Sequence, residues 1–244
     1  MDDESLARLA AVTRLAAVPE ADGRGRAALA AAAARARDDP GSCAVVLVEG
    51  LSDQAALETL AARRGRDLRG EGVFVVPMGG ATNIGHFLGL FGPRGFGVRL
   101  AGLCDEGEER DFRRGLERAG LAAGPPGAGS PGAGSPGAGS DGASPSRAGL
   151  ARLGFFVCVA DLEDELIRAL GVRRVEELIE AQGELGPFQT FTRQPAQRNR
   201  PREQQLRRFL GTRSGRKIQY GQVLAAALDL TRVPGPLAGV LSRV

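Results

Sequence analysis

Two stretches decide how this chain folds: Val45-Val46-Leu47-Val48-Glu49-Gly50-Leu51-Ser52-Asp53 and Val98-Arg99-Leu100-Ala101-Gly102-Leu103-Cys104-Asp105-Glu106-Gly107-Glu108-Glu109. In each, an apolar run of strand length stops abruptly at carboxylates. That is the pattern of a buried parallel strand that delivers acidic side chains to the carboxyl edge of a sheet. Gly154-Phe155-Phe156-Val157-Cys158-Val159-Ala160, followed by Asp161-Leu162-Glu163-Asp164-Glu165, repeats it.

Around these runs, strands and helices alternate. The pattern predicts strands at 43–48, 72–77, 98–104 and 154–160, and helices at 53–64, 82–91, 108–119 and 162–170. Such alternation specifies an α/β fold, a parallel sheet with helices on both faces. Residues 3–37 read as helical, and further helices are expected near 173–182, 203–210 and 219–228. The expected organisation is a helical N-terminal extension (1–42), an α/β domain (43–220) and a C-terminal helical segment (221–244). The domain is interrupted at 121–147, where Pro-Gly-Ala-Gly-Ser recurs at 126–130, 131–135 and 136–140. A segment of that composition buries too little apolar surface to offset its ordering entropy, so it is expected to be disordered.

With 244 residues and 43% apolar content, the chain has material for a sizeable core. Its apolar runs fall well short of the roughly 20 residues that span a bilayer, and Met1-Asp2-Asp3-Glu4 lacks a basic leader, so a cytoplasmic location with no membrane contact is expected. Cys43, Cys104 and Cys158 are widely spaced, form no CxxC pair and read as buried, inert thiols. The net charge is +3, yet 31 of the 32 basic residues are arginine. Such a bias can arise from a GC-rich coding sequence, so overall basicity is weak evidence for nucleic acid.

Right-handed crossovers bring all parallel strand ends to one edge, where Glu49, Asp53, Asp105 and Asp161 or Glu163 converge. Converging carboxylates repel one another unless a hard cation such as Mg²⁺ neutralises them. Simpler roles stand beside this one. Glu49 can merely close a strand while Ser52 caps the next helix, and Asp161 to Glu165 suit a helix N-terminus. Gly79-Gly80, which precede a helix, either offer amides to a phosphate or make a tight turn. His86 has no serine or cysteine motif beside it, so a triad is unsupported. Between Arg193 and Lys217 lie nine cations, Arg193, Arg198, Arg200, Arg202, Arg207, Arg208, Arg213, Arg216 and Lys217, against the single acid Glu203. This density exceeds the coding bias and points to a surface that tracks a nucleic-acid backbone, with Arg198, Arg200, Arg207, Arg208, Arg213 and Arg216 as its phosphate contacts.

Val48-Glu49-Gly50 with Asp53, the acidic motif after the third strand, and Asp161-Leu162-Glu163-Asp164-Glu165-Leu166 together resemble the TOPRIM domain, in the variant found in overcoming-lysogenization-defect (OLD) family nucleases. The resemblance spans about residues 43–220. It implies a Rossmann-like parallel sheet and metal-dependent phosphodiester cleavage of DNA. It assigns the Mg²⁺ (or Mn²⁺) ligands to Glu49, Asp53, Asp105 and Glu163, with Glu49 and Lys217 as catalytic groups. Lys217 is the only lysine in the chain; a compact ammonium suits a phosphate or a leaving oxygen, although a chance survivor of the arginine bias reads the same.

Two departures matter. The usual Asp-x-Asp reads Asp105-Glu106-Gly107 here, so Glu108 or Glu106 takes over the second ligand, or the site is reduced to one metal, or it is inactive. No GxxxxGK[ST] loop is present, so ATP dependence would call for a separate ATPase subunit. DNA, that subunit and a second copy of the chain in a homodimer are the candidate partners. The rival functions are a non-catalytic module that binds nucleic acid or an ATPase, a primase-like nucleotidyl transferase, and a receiver-like domain, the last two with little support in these residues.

Overall fold

The computed structural model describes residues 23–121 and 145–244. Its sheet is parallel throughout and consists of β1 (Ala44–Val48), β2 (Val73–Pro77), β3 (Arg99–Asp105) and β4 (Phe155–Cys158), in the order β2-β1-β3-β4. Ala44 stands opposite both Val73 and Arg99, and Asp105 lies opposite Cys158. Every residue of β1 is buried, which is why its sequence is an unbroken apolar run.

Successive side chains of β1 point to opposite faces, and each face has its own helical layer. Val45 and Leu47 pack with Leu29 and Ala33 of α1 (Gly23–Asp38). The same face carries Phe87 and Phe91 of α3 (Ile84–Phe91), and Phe112 and Leu116 of α4 (Glu109–Arg118). Val46 and Val48 pack with α2 (Leu51–Arg63) and with α6 (Leu162–Leu170), through Leu57, Leu60, Leu162 and Leu166. A short α5 (Arg147–Arg152) precedes β4. Beyond α6 come α7 (Val172–Ala181), α8 (Leu185–Thr192), α9 (Arg202–Leu210), α10 (Ser214–Ala227) and α11 (Gly235–Arg243). These helices add Ile179, Phe188, Phe209, Tyr220 and Val240 to the second core.

The predicted α/β architecture is therefore present. The predicted helix at 3–37 is seen from Gly23 onward, its earlier part and the five-residue repeats lying outside the described residues. β4 ends two residues before its predicted limit because Ala160 takes a left-handed conformation (φ 67°), which turns the chain so that Asp161 caps α6. α5 and α8 were not anticipated, α11 falls within the segment 221–244 expected to be helical, and α10 begins five residues before the expected 219 and runs through residue 220. Two arginines of the α2 end tie these late helices back: Arg63 donates to the carbonyl oxygens of Ala225 and Leu228, and Arg66 to that of Leu241. No described helix is long and apolar enough to cross a membrane.

Candidate metal centre

The sheet order reverses at β1, with β2 on one side and β3 on the other. The crevice beyond the carboxyl ends of such strands is where ligands bind in open α/β sheets. Glu49 follows β1 directly. Its carbonyl oxygen accepts the amide hydrogens of Gly79 (3.0 Å) and Gly80 (3.2 Å). Both glycines have positive φ, 71° and 123°, a conformation that favours glycine. The phosphate role expected of Gly79 and Gly80 is corrected here, because their amides are committed to holding Glu49. Nor does Ser52 cap α2: Gly50 is the cap residue, and its amide donates to Asp53 Oδ2 at 2.9 Å.

Asp105 ends β3, and a single 3-10 turn, Glu106–Glu108, folds the chain back over the strand end. That turn places one carboxylate oxygen each of Glu49, Asp105 and Glu108 within 4.8 Å of one another. Oxygens on opposite sides of a six-coordinate Mg²⁺ lie about 4.2 Å apart, given bonds of about 2.1 Å, so the spacing fits a small divalent cation. Glu108 Oε2 is buried without a hydrogen-bond partner among the described residues, which suits an oxygen that ligates a cation. Burial first, then the charges of Asp53, Glu49 and Asp161, pushes Asp105 up to about 8. Burial, a hydrogen bond to Glu49 and the charges of Glu49 and Asp53 push Glu108 up to about 8 as well. Glu106 points elsewhere and pairs with Arg147, so of the two candidates it is Glu108 that joins the cluster.

A second acidic group adjoins the first. Asp53 is buried and pushed up to about 6, chiefly by that burial, with the Gly50 amide and Lys217 opposing. Glu163, in the first turn of α6, is 3% exposed, and its Oε1 has no hydrogen-bond partner among the described residues. Burial raises its carboxyl to about 7 against the pull of Lys217. Lys217 Nζ lies 3.6 Å from Glu163 Oε2. Burial disfavours the ammonium, but the charges of Glu163, Asp53, Asp105 and Glu49 outweigh it and raise the lysine above its ordinary value. The lysine reaches this point because α10 presses onto the start of α2. Gly221, one turn after Lys217, has no room for a side chain: a Cβ there would sit 2.7 Å from the Ser52 carbonyl oxygen.

The basic stretch divides into two kinds of arginine. Arg202 pairs with Glu176, Arg207 Nε with Asp161 Oδ2 (2.6 Å), and Arg216 with both oxygens of Glu184. The Arg216 side chain is only 10% exposed and lies 4.2 Å above the Phe209 ring. It is a clamp between α10 and the α7–α8 turn, which corrects the expectation that it contacts nucleic acid. Arg198, Arg200, Arg208 and Arg213 are exposed. Arg200, Arg207 and Arg208 line a cleft of about 750 Å³ together with Asp161, Phe191 and Gln197. Sequence gave no sign of Phe191, Gln197 or the Glu184 clamp as neighbours of these cations. His86 packs edge-on to Phe87, ring centroids 5.9 Å apart, and the three cysteines are buried free thiols, as expected.

Residues 42–106 match the family model of the overcoming lysogenization defect protein-like TOPRIM domain. The fold is similar to that of the C-terminal region of the Xanthomonas campestris pv. campestris OLD protein, with a TM-score of 0.56 and 22% identity over 82% of this chain and 93% of that one. The C-terminal region of the Burkholderia pseudomallei OLD protein gives a TM-score of 0.56 and 20% identity over 82% and 96%. No curated protein matches the sequence. The TOPRIM resemblance read from the acidic strand ends is thus found again over residues 42–106, and the fold over most of the chain.

Proposed function

We propose, from the OLD-like TOPRIM match and the acidic centre at its strand ends, that this protein is a divalent-metal-dependent nuclease that hydrolyses phosphodiester bonds of DNA. One observation carries the reading: oxygens of Glu49, Asp105 and Glu108 converge within 4.8 Å while Lys217 faces them from α10. Glu49, Asp105 and Glu108 would hold Mg²⁺ or Mn²⁺. When bound, such an ion polarises a phosphoryl oxygen and lowers the pKa of water.

The chain's own groups do the rest. Lys217 offers a compact positive charge to the scissile phosphate or to the departing oxygen, where guanidinium would be too broad. Glu163, buried and at about 7, is able to exchange a proton near neutral pH and has a free oxygen with which to do so. Asp53 fixes the first turn of α2 by accepting the amide hydrogen of Gly50, the residue after Glu49. The same reading puts the protein in the cytoplasm, with DNA and an ATPase as its candidate partners.

The test is nicking of supercoiled plasmid in Mg²⁺, Mn²⁺ or EDTA, with Glu49→Gln beside the wild type. Nicking that needs metal and vanishes in the variant is the expected result. Equal nicking by both proteins would refute it. A second reading, a binding module with a degenerate metal site, is favoured by Gly107 standing where the resemblance puts an aspartate. Metal-independent DNA binding with no cleavage would select it.

A further inference from the structure

Apart from the metal centre, the most developed feature is the cleft between α8, the segment leading into α9, and α9 itself. Arg200, Arg207 and Arg208 line it, and its one acid, Asp161, is already neutralised by Arg207. Arg208 has no ion-pair partner among the described residues, and Arg200 spends only its Nε, on the carbonyl oxygen of Ala196. Arg207 gives Nε to Asp161 and keeps its other donors. Guanidinium groups in this state match phosphate oxygens.

The cleft holds more than cations. Phe191 is half-buried and held by Phe209 at 5.6 Å between ring centroids. Gln197 is 5% exposed, and its carboxamide oxygen has no partner among the described residues. An aromatic face and an unpaired carboxamide inside a concavity offer nothing to the outside of a duplex, whose bases are stacked within and whose phosphates lie on a convex cylinder. They suit a strand whose bases are free to stack and to present their edges. At about 750 Å³ the space is within the range that encloses small ligands, enough for a nucleotide or two. Asp161 joins the cleft to the metal centre, since it caps α6 two residues before Glu163.

We propose that this cleft binds single-stranded DNA, with Arg200, Arg207 and Arg208 on its phosphates, Phe191 against a base and Gln197 on a base edge. The cleft thereby delivers an unpaired strand to the carboxylates at the end of β3. The inference rests on the nuclease reading for its biological sense and is separable from it by experiment.

Fluorescence anisotropy in EDTA, where no turnover occurs, with a labelled short oligothymidylate and a duplex of the same length, tests it on the full chain. The single strand should bind at least about tenfold more tightly than the duplex, and Arg200→Glu with Arg208→Glu should weaken it at least about tenfold. Arg193→Glu, an exposed arginine outside the cleft, should change it by less than about twofold. Equal affinity for the two forms, or an Arg193→Glu loss matching that of the pair, overturns the proposal. Plasmid nicking by the wild type in Mn²⁺ separates the two ideas. Nicking without single-strand preference sinks the cleft alone, whereas single-strand preference without nicking sinks the nuclease alone.

Discussion

At the scale of single residues, the centre is a set of acids that burial and mutual repulsion keep protonated more readily than free ones. Asp105 and Glu108 rise to about 8, so the folded chain holds protons that the unfolded chain has already released. The sign follows by linkage: without cation, stability falls as pH rises from the ordinary carboxylate range through about 8. The melting temperature in EDTA should therefore be lower at about pH 8.5 than at about pH 6, and Mn²⁺ should raise it more at the higher pH. A melting temperature in EDTA that does not move across that window would contradict this account, and Asp105→Asn should flatten the dependence. Gly107 adds a second test. A Cβ there meets nothing within 4 Å, and φ is not left-handed, so Gly107→Asp should be accepted without strain. Glu108→Gln should weaken Mn²⁺ binding at least about tenfold, and Gly107→Asp added to it should recover part of the loss in a calorimetric titration. Failure to recover any would mean that residue 107 faces away from the ion.

At the scale of elements, the helix pair α2 and α10 decides whether the lysine meets the acids. Gly221→Ala gains roughly 1 kcal/mol of helix propensity but forces a methyl against the Ser52 carbonyl, an overpacking cost of about 1–3 kcal/mol. The expected outcome is a slightly lowered melting temperature with a disproportionate loss of nicking, because Lys217 rides on the displaced helix. Unchanged nicking would show that the register of α10 is not critical. Strands and the helices between them were legible because β1 and β3 are nearly all apolar and end at acids. α8 was not, since Pro187 and Gly186 interrupt an eight-residue helix with one buried residue, Phe188. The start of α10 was hidden because Ser214, Gly215, Arg216 and Lys217 show no apolar period. Glu49, Asp105 and Glu108 could be named from sequence as strand-end acids, and Glu163 as a helix-start acid. A solvated arginine and a clamped one, such as Arg208 and Arg216, look identical in a sequence. Only Glu184, 32 residues away, and the ring of Phe209 distinguish them.

At the scale of the whole molecule, the late helices are held to the sheet layer by Arg63, the last residue of α2, and Arg66 just beyond it, acting as caps on distant helix ends. Arg63→Ala removes the donors to the Ala225 and Leu228 carbonyls at the end of α10, worth about 1 kcal/mol. The variant should lower the denaturant midpoint and speed hydrogen exchange through residues 214–243; slowed or unchanged exchange there would refute the capping role. The molecule is also built in two instalments. Glu49, Asp53, Asp105 and Glu108 arrive by residue 108, whereas Glu163, Lys217 and the arginine-lined cleft all come after residue 144, beyond the 42–106 span of the family match. For anyone sorting genomes by that match, the portion detected carries only Glu49, Asp53 and Asp105 of these groups. Glu108, Glu163, Lys217 and the arginine-lined cleft go unseen, free to diverge among relatives that an automated label would group together.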